Sequence, residues 1–351
     1  MPDVKELEKS VLDELSGTHR DALQRVMANR TLEEALSRFR RISALLGDED
    51  TVDGLTASNA RELDALVCRA IVKALQVEEA DQPGTRCLAA WAARASYVMP
   101  LELFTVNYDL LLEAALEKAR ATYFDGFMGN IEARFQTELV ESMPGTDGES
   151  LPSFLIRLWK LHGSLNWMWT DDGELVRIGQ AVPEGRAAAI YPSDAKYEES
   201  RRVPFVVLQD RLRRSLNEPE TLVLISGYSF GDEHVNEVLF DSALRRERSE
   251  YIAFCFDEIP EHLADRASVA PNLQVVSQRE AIVGGIRDAW KDPDHEMPGL
   301  WDNDGLTLCD FNQLARYLAR STAREYGGAQ SLSGVLTEVY GAPGGEGVTT
   351  G

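Results

Sequence analysis

The sequence predicts an α/β fold in which a doubly wound, mostly parallel sheet follows a helical N-terminal subdomain. Across the first hundred residues, apolar side chains recur at three- and four-residue spacing, which is typical of amphipathic helices. From Pro100 onward, short apolar runs alternate with polar turns and amphipathic segments. That order is typical of strands buried on both faces and joined by crossover helices. The 351 residues are enough for one large domain or two ordinary ones.

The N-terminal region, residues 1–99, is expected to form the helical subdomain. Its apolar stripes predict helices over residues 4–15, 32–39 and 63–75. Thr31 and Glu34 have the spacing of a capping box at the start of the second helix. Pro and Gly within residues 81–84 predict a loop after the third.

The expected core, residues 100–290, contains five apolar runs of strand length. These are residues 101–105, 154–161, 221–226, 251–256 and 273–277. Amphipathic helices are predicted over residues 112–119, 235–239 and 282–290. An irregular loop is expected at residues 145–148 and a hairpin turn at residues 171–173. A C-terminal helical segment at 291–340, with its main helix over 310–326, and a flexible tail at 341–351 complete the expected organisation.

The excess of acidic over basic residues argues against some classes of function. The chain has 36 Lys and Arg against 58 Asp and Glu, a formal charge of −22. This argues against a protein that coats nucleic acid through a general basic field, and we expect no direct nucleic-acid contact. A local anion site built from backbone N–H groups stays possible. No apolar run approaches the roughly 18 residues of a membrane span, and the start does not resemble a signal peptide, so we expect a soluble, cytoplasmic protein with no membrane contact.

The four cysteines, Cys68, Cys87, Cys255 and Cys309, are widely spaced and form no C-x-x-C pair. This spacing argues against a paired-cysteine zinc site and against a secreted disulfide framework, so no metal is expected. Cys255 lies within an apolar run and is expected to be a buried, inert thiol.

Polar clusters follow three of the predicted strands. In open parallel sheets, ligands bind at the carboxyl ends of the strands. Asn107 and Asp109 follow the first strand; they suit helix capping and equally the orientation of a water or a sugar hydroxyl. His162 follows the second strand and fits a structural role or a general base, and the adjacent Gly163 permits close approach of a ligand to the backbone.

The third cluster begins at Gly227 and reads Gly-Tyr-Ser-Phe-Gly-Asp-Glu-His. It suits a tight turn into a helix and equally a cradle for phosphate or ribose. No G-x-G-x-x-G fingerprint occurs in the sequence, which disfavours a standard dinucleotide dehydrogenase. Ser164 and His162 lack the G-x-S-x-G elbow, which gives little support to a hydrolase triad.

Three motifs in order resemble those of the bacterial sirtuin-like family, whose silent-information-regulator-type domains occur in anti-phage defence systems. They are Phe-Thr-Val-Asn-Tyr-Asp ending at Asp109, Trp-Lys-Leu-His-Gly-Ser-Leu-Asn-Trp starting at Trp159, and Leu-Ile-Ser-Gly-Tyr-Ser-Phe-Gly-Asp-Glu-His-Val-Asn starting at Leu224. The resemblance covers residues 101–277 and implies a Rossmann-like NAD site.

The resemblance also implies residue roles. Asn107 and His162 match the catalytic pair, and Asp109 matches the acidic residue beside the nicotinamide ribose. The implied NAD-binding residues also include Tyr108, Gly163, Ser164, Gly227, Tyr228 and Ser229. The family's deacylases carry a four-cysteine zinc ribbon that this sequence lacks, so the resemblance points to the branch that hydrolyses NAD as its substrate. Positioned dipoles stabilise the oxocarbenium-like state through which the nicotinamide–ribose bond is cleaved.

The start of the sequence departs from the family pattern. Members open with an apolar strand and a Gly-Ala-Gly-x-Ser-like loop around the pyrophosphate, whereas this sequence opens with MPDVKELEKS, a helical pattern. We therefore expect either that the strand and loop lie upstream or that this member has lost them. The leading hypothesis is an NAD-hydrolysing defence effector. The alternatives are a non-catalytic subunit that binds NAD or ADP-ribose or acts as a scaffold, and, third, an NAD-dependent protein deacylase. The resemblance further implies a homo-oligomer and a possible defence-system partner protein.

Overall fold

The structure is a computed structural model that describes residues 4–321 except 29, 48, 76–81, 96, 98, 143–154, 180–181, 183–187, 191–202 and 246–247. The chain divides into two compact units, Met1–Ser215 and Leu216–Gly351. The loop expected at residues 145–148, the tail at 341–351 and the last part of the helix at 310–326 lie outside the described residues.

Five helices are present among the described residues of the N-terminal region of the first unit. They are α1 Val4–Glu14, α2 Gly17–Met27, α3 Leu32–Leu45, α4 Ala57–Ala74 and α5 Pro83–Ala92. The capping box is confirmed: the Glu34 backbone N–H donates to Thr31 Oγ1 at 3.2 Å, and the Thr31 N–H donates to Glu34 Oε2 at 2.7 Å. A loop was predicted at residues 81–84. This prediction is wrong for Pro83 and Gly84, which lie in α5. Proline suits the first turn of a helix because its missing N–H would have no intrahelical partner there.

The rest of the first unit contains eight strands and three helices within the described residues. The strands are β1 Glu102–Thr105, β2 Tyr123–Phe124, β3 Phe127–Met128, β4 Glu132–Phe135, β5 Ile156–Lys160, β6 Gly163–Trp169, β7 Leu175–Ile178 and β8 Ala188–Ile190. The helices are α6 Leu111–Lys118, α7 Thr137–Glu141 and α8 Phe205–Leu216.

A three-stranded parallel sheet in the order β1-β5-β2 positions the first two polar clusters. Helices contact both of its faces. Glu113 of α6 pairs with Lys160, and Arg211 of α8 pairs with Glu102. Every residue of β5 is buried, as expected for a strand covered on both sides.

A second sheet of the first unit is antiparallel, in the order β3-β4-β7-β6-β8, and was not foreseen from the sequence. The predicted hairpin turn at residues 171–173 is confirmed between β6 and β7, with Gly173 at φ +79°. Leu165 of β6 belongs to the same buried cluster as the apolar side chains of α1, α3 and α4. The helical region and this sheet therefore share one core.

The second unit carries the remaining α-helices and β-strands of the described chain. They are β9 Leu222–Ser226, α9 Glu233–Arg245, β10 Glu250–Phe254, α10 Glu261–Val269, β11 Leu273–Val276, β12 Glu280–Val283, β13 Ile286–Ala289, β14 Trp301–Asp302, β15 Gly305–Leu306 and α11 Phe311–Ser321. The sheet order is β13-β12-β11-β10-β9, and β9, β10 and β11 run parallel. Parallel strands alternating with helices in both units confirm the predicted Rossmann-like α/β class.

The helix predicted over residues 282–290 is wrong, because this segment is the hairpin of β12 and β13. Gly284 and Gly285 form its two-residue turn at φ +58° and +82°, the conformation that a type I′ turn requires of both residues. The four-residue spacing of Ile282 and Ile286 fits a helix, but a glycine pair is unfavourable inside one. Ile282 is buried and Ile286 is exposed.

None of the helices in the described part of the chain has the length and apolar character that a membrane-spanning helix needs.

Candidate active site

The pairing of β1 with β5 brings the first two polar clusters together. Thr105 lies opposite Lys160 at the ends of the two parallel strands, so the loops that follow leave the same edge of the sheet. The Leu165 N–H donates to the Tyr108 carbonyl at 3.0 Å, and the Ser164 hydroxyl lies 3.4 Å from the same oxygen. These contacts join the loop at residues 107–109 to the turn at residues 162–164.

Asn107 lies in the loop between β1 and α6 with its side chain exposed. Its backbone N–H donates to Thr105 Oγ1 at 3.0 Å, which fixes the loop just after the strand ends. The side-chain amide has no hydrogen-bond partner among the described residues. One donor group and one acceptor group therefore remain available to a ligand or a water.

His162 and Tyr108 lie next to each other where the two segments meet. Their ring centroids are 6.5 Å apart with the planes tilted by 38°. His162 is 9% exposed, so its imidazole stands at the boundary between the core and the surface. Gly163 adopts φ +94°, a conformation that favours glycine, and thereby turns the chain from β5 into β6.

Ser164 and Asp109 both have structural roles. Ser164 is fully buried, and its hydroxyl contacts the Tyr108 carbonyl. Asp109 Oδ1 accepts the Leu111 N–H at 2.9 Å, two residues on, and so fixes the turn that leads into α6. Its second oxygen, Oδ2, is buried and has no hydrogen-bond partner. That oxygen is an unused acceptor, and leaving it unsatisfied costs free energy.

Two charged residues that the sequence did not single out support this loop. Lys160 Nζ donates to Glu113 Oε1 at 2.8 Å and to the carbonyl oxygens of Tyr108, at 3.3 Å, and Asp109. Both charged side chains are buried or nearly so. The available signal was a lysine at the end of a strand whose other residues, apart from Arg157, are apolar, since an unpaired lysine is almost never fully buried.

A second buried charge cluster lies on the other face of the parallel sheet. Glu102 accepts hydrogen bonds from Arg211, from Trp159 Nε1 at 2.9 Å and from Ser215 Oγ at 2.7 Å. Arg157 is fully buried and has its Nη1 3.4 Å from Glu102 Oε1. Burial alone raises the pKa of Glu102. The hydrogen bond and charge of Arg211, with the Ser215 and Trp159 hydrogen bonds, outweigh that effect and hold the pKa below its usual range.

The third cluster lies in the second unit, between β9 and α9. Gly227 and Phe230 adopt φ +66° and +56°, which forms a tight turn. The Tyr228 hydroxyl donates to the Asp232 carbonyl at 3.1 Å or to Asn236 Oδ1 at 3.0 Å. The Asp232 carboxylate caps α9 by accepting the His234 N–H at 2.9 Å.

The N–H groups of this turn are available for an anion. Among the described residues, the backbone N–H groups of Tyr228, Ser229 and Phe230 have no hydrogen-bond partner. Successive free N–H groups before a helix are suited to phosphate. Burial and the Asp232 charge raise the pKa of the Tyr228 hydroxyl, which therefore stays protonated at neutral pH.

Cys68, Cys255 and Cys309 are buried, which confirms the prediction for Cys255. Burial raises the pKa of Cys68 and Cys309 to about 12 and that of Cys255 to about 11, so these thiols are protonated and unreactive at neutral pH. The described residues hold no group of three or more His, Cys, Asp or Glu side chains arranged to bind a metal.

Comparison with known proteins identifies the family. No curated protein matches the chain. A family model described as the SIR2-like domain matches residues 101–275, about half of the chain. This range begins just before β1, ends in β11 and contains all three polar clusters. SIR2-like domains use NAD, and the family is generally enzymatic. The chain is therefore a member of the SIR2-like family, with an NAD-related function and its SIR2-like domain at residues 101–275.

Proposed function

We propose that this protein hydrolyses NAD, releasing nicotinamide and ADP-ribose, and that it acts in the cytoplasm as an effector of bacterial anti-phage defence. One observation carries the proposal: the exposed amide of Asn107 and the imidazole of His162 stand on segments joined through the Tyr108 carbonyl. An amide and an imidazole are the group types needed to orient a nucleophile and to accept its proton.

The reaction breaks the bond between the ribose carbon and the nicotinamide nitrogen. NAD, when bound, supplies a positively charged leaving group that becomes neutral as it takes the electron pair of that bond. Asn107 orients a water or the ribose hydroxyls through its amide. His162 accepts the proton that the water or a ribose hydroxyl loses, and the water oxygen bonds to the ribose carbon. One proton is released for each NAD cleaved.

Further residues of each unit offer groups that suit a ligand rich in hydroxyls and phosphates. Asp109 offers its unused Oδ2 to a ribose hydroxyl. Tyr108, Gly163 and Ser164 shape the loop and the turn around the catalytic pair. We assign Gly227, Tyr228 and Ser229 to phosphate or ribose binding, on the basis of the free N–H groups within that turn.

The test is nicotinamide release from NAD by the purified protein, followed by chromatography. We expect Asn107→Ala and His162→Ala each to lower kcat by at least about 100-fold, the usual scale of positioned acid–base groups. NAD affinity, measured by calorimetry, should change less than tenfold. Matched controls are Asn303→Ala and His262→Ala, both exposed in the second unit, which should keep the wild-type rate. An Asn107→Ala protein that releases nicotinamide at the wild-type rate contradicts the assignment.

A non-catalytic role in binding NAD or ADP-ribose is the second candidate, because the free N–H groups of residues 228–230 can bind phosphate without any catalysis. Calorimetric titration with NAD and ADP-ribose separates the two functions. Binding without nicotinamide release, at every protein concentration tested, would favour the binding role. The concentration series also tests the proposed homo-oligomer, and addition of a candidate defence-system partner protein tests activation by that partner.

A further inference from the structure

Lys160 connects three elements of the first unit through one buried ammonium group. Its side chain is 2% exposed and stands at the end of β5. Nζ donates to Glu113 Oε1 in α6 and to two carbonyl oxygens of the loop between β1 and α6. An ammonium has three hydrogens, and these three acceptors use all of them. All three hydrogens of the Lys160 ammonium therefore have acceptors in this position.

The two carbonyl groups belong to Tyr108 and Asp109, the residues that directly follow Asn107. Two other hydrogen bonds of this loop are local: the Asn107 N–H bonds to Thr105, and the Asp109 carboxylate bonds to the Leu111 N–H. The Tyr108 ring also packs against His162 and against the buried core of the helical region. Two hydrogen bonds join this loop to β6, and both end on the Tyr108 carbonyl. The contact to β5 is made by Lys160. Lys160 thus supplies the charged contact between the loop and the sheet.

We propose that Lys160 is a positioning residue, which fixes the backbone of residues 106–110 and thereby the amide of Asn107 relative to His162. Glu113 holds the ammonium in place and balances its charge. The inference rests on the proposed function, because the position of Asn107 affects turnover only if its amide acts on the substrate. Misplacement of a reacting group by about 1 Å costs on the order of 100-fold in rate.

A purely stabilising ion pair is the competing explanation, and a double variant separates the two. Lys160→Met leaves the Glu113 carboxylate buried without a partner, so we expect the melting temperature to fall by roughly 10 °C. Lys160→Met with Glu113→Leu removes both charges, and such replacements by apolar residues are often neutral for stability. We expect the double variant to melt within about 3 °C of the wild type. The Asp109 carbonyl, however, still lacks its donor, and the Tyr108 carbonyl keeps only its donors from β6.

The measurements are kcat and KM for nicotinamide release and hydrogen exchange of the amides at residues 106–110. In the double variant we expect kcat about 100-fold below the wild type with KM changed less than about fivefold. The same amides should exchange at least about tenfold faster than in the wild type. Exchange needs no turnover, so it reports on the loop even in an inactive protein.

Arg177→Met is the matched control, because it breaks a partly buried ion pair of the first unit, in which Arg177 Nε lies 2.9 Å from Asp125 Oδ2. It should lower the melting temperature without changing kcat or exchange at residues 106–110. A double variant with wild-type kcat and wild-type exchange overturns the inference, as does a control that affects the loop equally. If the wild type releases no nicotinamide, the proposed function fails. Exchange alone then decides the role of Lys160, and unchanged exchange in the double variant overturns it.

Discussion

Glu102 shows how a single buried carboxylate can hold one face of the parallel sheet together. It joins β1 to β5 through Trp159 and to α8 through Arg211 and Ser215. Burial of a charge is costly, but each of these donors bonds to the ionised form of the carboxylate. Because the folded-state pKa is below the ordinary value of 4.5, this group stabilises the fold above pH 4.5. That contribution is lost as the pH falls through the folded-state value.

We therefore expect Glu102→Gln to lower the free energy of unfolding at pH 7 by about 3 kcal/mol, since it leaves buried arginines without a counter-charge. The difference from the wild type should shrink as the pH falls below the ordinary pKa of 4.5, because the carboxylate then takes up a proton first in the unfolded chain and, at lower pH, in the folded protein as well. Urea unfolding at pH 7 and pH 3.5 measures both effects. Asp210→Asn, which removes an exposed pair with Arg214, should change stability by less than about 0.5 kcal/mol. Equal losses at both pH values would contradict the charge argument.

At the scale of elements, the helix starts of the N-terminal region differ in how they are capped. Thr31 and Glu34 form both hydrogen bonds of a capping box at the start of α3. Ser16 occupies the same position before α2, but its side chain makes no capping hydrogen bond. The same region thus contains one cap that uses its hydroxyl and one that does not.

Thr31→Ala should lower the free energy of unfolding by about 1 kcal/mol, because a backbone N–H at the start of α3 loses its acceptor. Ser16→Ala is the matched control, and its effect should stay below about 0.3 kcal/mol. Thermal or urea unfolding followed by far-UV circular dichroism measures both variants. Equal effects of the two substitutions would show that the capping hydrogen bonds of Thr31 contribute nothing.

At the scale of the whole molecule, the formal charge of −22 affects how the protein interacts with polyanions such as nucleic acids. Many of its arginines are paired with carboxylates, including Arg40, Arg177, Arg211 and Arg287. Binding of a single NAD molecule through backbone N–H groups is compatible with this charge because the contact is local. Binding of a long nucleic acid is not, because it needs an extended basic surface.

We expect no binding of duplex DNA at 150 mM salt up to about 100 µM protein, beyond the usual range of non-specific affinities. Fluorescence anisotropy of a labelled duplex measures this, with a basic DNA-binding protein as the positive control. Repetition at 50 mM salt strengthens the test, because electrostatic binding grows as salt is lowered. Saturable binding with a dissociation constant near 1 µM would contradict the prediction.

The sequence by itself determined the features that depend on near neighbours. The capping box, the hairpin turn at residues 171–173, the parallel strands and the ordered motifs around Asn107, His162 and Gly227 all follow from patterns a few residues long. A single sequence also specified the family, since its three motifs fall within the matched residues 101–275. Local propensity failed at residues 282–290, where two glycines turned an apparent helical period into a hairpin.

Only the tertiary structure decided which side chains hold the site in place. Lys160 lies 47 residues from Glu113, and Arg211 lies 109 residues from Glu102, so no local pattern pairs them. Ser164 was predicted to bind NAD, and that stays a prediction; the contact of its buried hydroxyl with the Tyr108 carbonyl became visible only in the fold. A buried polar group must find its partners wherever the fold brings them. Those partners come from distant strands and helices, and the sequence near each residue does not identify them.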